Sequence, residues 1–162
     1  MYQIAYIVCL LVLTAVMIPI SIYDIHTHTI KNKVVLAILC TSPFPIIYDS
    51  LSPEKTVGWT VAGHLAGGAL AFVLMCAVGL YVKGGLGGGD IKLLGAIGLW
   101  FNVYYALGVA AGSALFYLAY CVFTEIKYKK QGREKPKTLA FGPCVGIAVL
   151  VASVIQTVII LI

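Results

Sequence analysis

Apolar residues run along this chain in blocks of membrane-spanning length, and its polar residues fall into a few short clusters between them. The first block extends from about Tyr2 to Tyr23, carries Pro19 near its end and closes on Asp24. The polar segment from Asp24 to Lys33 leads to a second block, about Val34 to Tyr48, with Pro43 and Pro45 marking its far end. Turn residues and mixed charge from Asp49 to Lys55 read as an exposed connection. A third block, about Val57 to Val82, runs into Lys83-Gly-Gly-Leu-Gly-Gly-Gly-Asp90-Ile-Lys92, and a final one occupies about Phe141 to Ile162. Each block is long enough to be read as a transmembrane helix, and lipid admits helices because they satisfy their own backbone polar groups.

Between Leu93 and Thr124 there are 32 residues without a charge, too long for one ordinary span and short for two. Charge asymmetry decides the count. If this stretch breaks into two helices near Asn102, the segments 24–33, 83–92 and 127–137 lie on one side of the membrane. That side then holds Lys31, Lys33, Lys83, Lys92, Lys127, Lys129, Lys130, Arg133, Lys135 and Lys137, leaving Lys55 as the remaining one of the eleven basic residues. A single span would carry the last basic cluster to the wrong side and destroy the positive-inside bias. The expected fold is therefore an all-α polytopic membrane protein, a bundle of six transmembrane helices with both termini outside.

Composition agrees with this pattern. Of the 162 residues 61% are hydrophobic and 10% charged, and the mean hydropathy is +1.01, too little charge to cover a soluble domain of this size. One membrane-embedded domain over 1–162 is expected, with the lipid bilayer as its main partner and no cleaved signal peptide, since no Lys or Arg precedes the first apolar run. The net charge of +5 is accounted for by topology, so no nucleic-acid partner is expected. The five cysteines, Cys9, Cys40, Cys76, Cys121 and Cys144, are far apart and form no Cys-x-x-Cys pair, so they read as packing residues. Small-xxx-small pairs at Gly63 and Gly67, Gly108 and Gly112, and Gly142 and Gly146 are expected to let helix backbones approach closely.

Five glycines in six positions precede Asp90. Each glycine in a helix costs roughly 1 kcal/mol relative to alanine, so the string reads as a flexible turn delivering Asp90 to the start of a helix. An aspartate there can serve simply as a cap. What argues for more is Asp24, which the six-span threading brings to the same face at similar depth. Two carboxylates meeting at the edge of hydrocarbon cannot both ionise cheaply, and a pair sharing one proton is the arrangement of an aspartyl protease. No cofactor or metal is expected: His26 and His28 lie beside Asp24 without a further ligand cluster and read as solvated residues, and His64, inside the third span, reads as an interhelical hydrogen-bond partner. Lys92 reads as snorkelling to the headgroups.

Gly87-Gly88-Gly89-Asp90 followed by Ile91-Lys92-Leu93 resembles the Gly-x-Gly-Asp motif of membrane aspartyl proteases, in the Asp-x-Lys-Leu form of type IV prepilin peptidases. Asp24 matches that family's other catalytic aspartate. Ile30-Lys31-Asn32 stands where Ile-Pro-Asn is usual, with Lys31 in place of the proline and the turn after Asp24 open to change. Phe141-Gly142-Pro143 is similar to the Phe-Gly-Pro that opens the family's last helix. The resemblance implies Asp24 and Asp90 as catalytic residues, with Gly87, Gly89, Lys92, Asn32, Gly142 and Pro143 in support. It implies substrates with a short basic leader before an apolar helix, prepilin-like or pseudopilin precursors, cut after a glycine at the cytoplasmic face of a prokaryotic inner membrane. Larger members carry a domain with paired Cys-x-x-Cys motifs linked to N-methylation; this chain looks like the short form, for which methyl transfer is not expected. Archaeal preflagellin peptidases fit nearly as well, whereas the Pro-Ala-Leu signature of presenilin-like proteases does not occur. The rival from another class is a proton- or cation-coupled transporter with Asp24, Asp90 and His64 as a relay, which requires polar groups threaded across the whole bilayer.

Overall fold

A computed structural model describes residues 2–51, 56–81, 86–131 and 139–162, and they form an all-helical bundle. Its helices are α1 (Tyr2–Thr27), α2 (Asn32–Thr41), α3 (Pro43–Ser50), α4 (Val57–Tyr81), α5 (Gly88–Gly98), α6 (Val103–Lys130) and α7 (Gly142–Leu161). Five stretches are long and apolar enough to cross a membrane: Gln3–Thr27, Asn32–Ser50, Val57–Leu80, Val103–Lys130 and Gly142–Leu161. The second of these is α2 and α3 in succession. Pro43 and Pro45 do not end it, because Pro43 stands at the start of α3, where a missing backbone N–H breaks no helical bond, and the helix continues to Ser50.

The expected break near Asn102 is present. The segment at 99–102 turns the chain between α5 and α6, with Asn102 as the N-cap of α6. At eleven residues α5 rises only about 16 Å and cannot cross alone. It is instead sheltered within the bundle by α2, α4 and α6, and its Leu93, Leu94, Ala96, Ile97 and Gly98 are buried. Backbone contacts set its position. A Cβ on Gly98 would lie 2.8 Å from the Gly67 carbonyl oxygen, and one on Gly67 would lie 2.9 Å from that of Gly98, so α4 and α5 touch through glycine. Gly63 meets the Asn102 side chain in the same seam, while Gly108 faces open space and Gly112 makes only an ordinary contact with Ala148. The second of the three small-residue pairs therefore does not bring helices unusually close.

The core runs through Leu10, Leu13, Met17, Met75, Val109, Val145 and Val149, whereas Leu11, Ile18, Phe123 and Ile155 point outward, as a bundle in lipid requires. Alternating helix directions define two ends. At one, the start of α1 meets the end of α7: the Gln156 amide donates to the Tyr6 hydroxyl at 2.8 Å, and that hydroxyl donates to the Trp100 carbonyl at 3.4 Å. Exposed Trp59 and Tyr104 lie at the beginnings of α4 and α6 on this end, the place for aromatic anchors. The other end gathers the end of α1 and the starts of α2, α5 and α7.

Candidate active site

Asp24 lies in the last turns of α1, only 2% exposed, and its Oδ2 accepts the backbone N–H of Gly142 at 2.7 Å. Gly142 is the first residue of α7, so the positive end of that helix rests on the carboxylate. The fit is tight: a Cβ on Gly142 would stand 3.0 Å from both Cβ and Oδ2 of Asp24, so a side chain there would press on the carboxylate. Pro143, next along, occupies the first turn of α7, where proline suits the helix. Phe141 is buried and its ring meets Tyr117 edge-on at 5.2 Å. One turn up α1, the Ser21 hydroxyl lies 3.2 Å from the Gly142 carbonyl oxygen, and a Cβ on Gly146 would come within 2.7 Å of Ser21 Oγ. The Gly142 and Gly146 pair thus does more than pack helices. It sets α7 against the stretch of α1 that carries Asp24.

Asp90 lies in the first turn of α5, ahead of the apolar run from Leu93 and outside the five crossing stretches. Its Oδ2 accepts the N–H of Gly87 at 2.9 Å, so the capping expected of it is realised. Burial pushes its carboxyl up to about 6; the Gly87 N–H opposes this, and the negative charge of nearby Asp24 adds to it. The two carboxylates are therefore at the same end of the bundle and within reach of each other's charge. Of the glycines before Asp90, Gly84 and Gly85 lie outside the described residues, while Gly88 and Gly89 belong to α5 rather than to a turn. Gly89 is needed for proximity: a Cβ there would lie 2.9 Å from the Ile30 carbonyl oxygen, in the link between α1 and α2. Lys83 falls outside the described residues.

That link is short and defined. His28 adopts φ 49, and its N–H donates to the Asp24 carbonyl at 2.8 Å, closing α1 in the left-handed manner. Lys31 takes φ −71 and ψ 135, a conformation proline also adopts, so the departure from Ile-Pro-Asn leaves this turn compatible with the usual residue. Its ammonium sits 4.7 Å above the Tyr23 ring. Asn32 opens α2, and it, His26 and Lys92 are exposed at this end.

One expectation is overturned. Asp49 is not part of an exposed loop; it is in α3, 5% exposed, with Oδ2 3.2 Å from Nε2 of the fully buried His64. His64 Nδ1 lies 3.0 Å from the Leu99 carbonyl oxygen, which only accepts, so Nδ1 carries a proton and Nε2 faces the carboxylate. His64 is thus the interhelical link expected of it, joining α3, α4 and the turn after α5, at the end opposite Asp24 and Asp90.

Fold and site together define a multi-pass helical membrane protein with two acidic side chains at one end of its bundle. The chain belongs to the type IV leader peptidase family, whose model matches residues 11–122, a range that includes both aspartates. It is 32% identical over 108 residues to a prepilin leader peptidase/N-methyltransferase of Bacillus subtilis (strain 168), an alignment covering 67% of this chain and 38% of that protein. A protein of the same description from Aeromonas hydrophila is 27% identical over 139 residues, 85% of this chain and 46% of that one. The chain thus spans less than half the length of these two relatives. No solved structure matches it significantly.

Ser21 and Tyr117, which brace the site, were not singled out from the sequence, and Ile30 entered only as the first residue of the Ile30-Lys31-Asn32 segment, without a role of its own. The signal for Ser21 was the small-residue pair at 142 and 146; nothing local marks Tyr117.

Proposed function

We propose that the protein is an aspartic endopeptidase of the prepilin type, a single membrane-embedded domain that removes a short basic leader from precursors with an apolar helix. The observation that carries the reading is a fully buried Asp24, held by the α7 N-terminus, within electrostatic reach of Asp90. In the reaction, one carboxylate takes a proton from water as its oxygen adds to the peptide carbonyl, and the other gives its proton to the developing oxyanion. As the C–N bond breaks, the first gives its proton to the departing amine and the second takes one back from the gem-diol, which leaves as the carboxylic acid. Asp90 suits the acid, because its raised value keeps a proton available near pH 6 and exclusion of water by substrate raises it further. Asp24 takes the part of the base, its carboxylate held in place by the Gly142 N–H at the start of α7.

Lys31, Lys33, Lys92, Lys127, Lys129 and Lys130 all lie toward the end that holds the two aspartates, which supports a cytoplasmic active site and outside termini. Against coupled transport stands the apolar layer of Leu13, Met17, Leu94 and Ile97 between this end and the Asp49–His64 pair. The reading covers cleavage alone: methyl transfer, associated by resemblance with paired cysteine motifs, is left out because the cysteines here form no such pair. The test is co-expression with a prepilin-like precursor. Asp24→Asn and Asp90→Asn are each expected to stop leader removal while the protein still accumulates in the membrane; continued processing by either variant refutes the acid pair.

A further inference from the structure

Helices α1 and α2 follow one another through a four-residue link, yet they diverge. Helix α1 packs on α3 and α7, and α2 packs on α5. A cleft of about 540 Å³ opens between them, walled by Val12, Val16 and Ile20 of α1 and by Val34 and Ala37 of α2, with Trp100 also lining it. Away from its mouth, where Tyr23, Thr29 and Lys31 gather, its polar groups are satisfied: the Trp100 indole N–H donates to the Ile38 carbonyl at 3.1 Å, and the Thr41 hydroxyl donates to that of Ala37 at 2.9 Å. A wall of this kind takes an apolar occupant.

Two features distinguish this cleft from a general lipid-facing groove. It follows α1 from Val12 to Tyr23, roughly 16 Å at 1.5 Å per residue, so it has the reach of about three helical turns. It also reaches residues that adjoin both halves of the site, although neither aspartate lines it. Tyr23, at its end, directly precedes Asp24, and Ile30, in the same wall, is the residue whose carbonyl oxygen presses on Gly89 beside Asp90. Lys31 marks where the cleft meets water.

We infer that this cleft seats the apolar helix of the substrate, so that the residues just before that helix emerge at the two aspartates. The inference rests on the peptidase reading and adds to it a location for substrate selection. The occupant is a helical peptide segment rather than a lipid chain, because the cleft leads to Tyr23 and Ile30, which adjoin Asp24 and the Gly89-Asp90 turn.

Ala37 is exposed and its side chain borders the cleft, so Ala37→Trp fills it without entering the core. With membranes containing the full chain and a precursor bearing a basic leader and an apolar helix, Ala37→Trp is expected to raise KM about ten-fold or more with kcat largely kept. Ile155→Trp, on the outward side of α7, is expected to leave both unchanged. A photocrosslinking residue at Val16 is expected to capture the precursor through its apolar helix. Wild-type KM in Ala37→Trp, or capture of lipid alone at Val16, overturns the cleft. These results are separable from failure of the peptidase itself: if Asp24→Asn is inactive while Ala37→Trp behaves as wild type, only the cleft is refuted.

Discussion

The two ends of the bundle each bury a carboxylate, and they treat it in opposite ways. At the far end Asp49 faces the imidazole of His64, which is itself anchored on the Leu99 carbonyl, so the charge has a matched partner and three elements are tied together. At the other end Asp24 and Asp90 are satisfied by single backbone N–H groups and lie within range of another carboxylate. An acid opposite a base settles into one arrangement. Two acids opposite each other remain in competition for a proton, and that competition is what chemistry can use. On the proposed reading, then, it is the sign of its neighbour rather than burial alone that marks a functional aspartate.

The contrast can be broken most severely at the acid end. Asp24→Asn or Asp90→Asn is expected to cost at least about 10³-fold in cleavage, the scale of losing a reacting group, with little change in Tm. Gly142→Ala is expected to follow at about ten-fold, because the added methyl makes Asp24 give way by a few tenths of an ångström, a fraction of the misplacement of about 1 Å that costs on the order of 100-fold. It is checked by kcat/KM on protein of verified Tm. His64→Ala should show the reverse pattern. Leaving Asp49 buried without its imidazole is expected to cost about 3–5 kcal/mol of stability, seen as a lowered Tm, with cleavage per folded molecule within about three-fold of wild type. A His64→Ala protein that keeps its Tm but loses cleavage would assign the far end a part in the reaction and erase the distinction.

The pH profile sharpens the same comparison with a smaller effect. Because the raised carboxyl must hold a proton to act as the acid, activity is expected to fall as pH rises through about 6, or somewhat higher once substrate excludes water. The apparent midpoint belongs to the pair. Measuring kcat/KM from pH 4 to 9 checks it, and a flat alkaline side would exclude Asp90 as the proton donor.

Much of this was legible along the chain. Hydropathy located the crossing helices, charge asymmetry located the break at Asn102, and the glycine string together with Asp24 located the acid end, since each of these is a local signal. Partners far apart in sequence were not legible. Gly142 lies 118 positions from the carboxylate it holds, and nothing near Gly142 announces Asp24. Asp49 looked like part of a solvated loop because the stretch from Asp49 to Lys55 has turn residues and mixed charge and Pro43 and Pro45 were read as ending the span before it; a proline at a helix start continues the chain as helix, and only the fold reveals His64 of α4 beside Asp49. Gly88 and Gly89 are helical for a related reason. Helix cost is smallest in an unpaired first turn, and the close approach of Ile30 leaves no room for anything larger at 89.

The most direct measurement of whether the two acids act as one unit is the titration of the Asp90 carboxyl, followed by carbon-13 NMR of labelled protein in nanodiscs, with and without Asp24→Asn. The expected midpoint is about 6 in the wild type. Removing the neighbouring negative charge should move it down. An Asp90 that titrates identically in both proteins would mean that the carboxylates do not sense one another, and the shared-proton site would have to be abandoned.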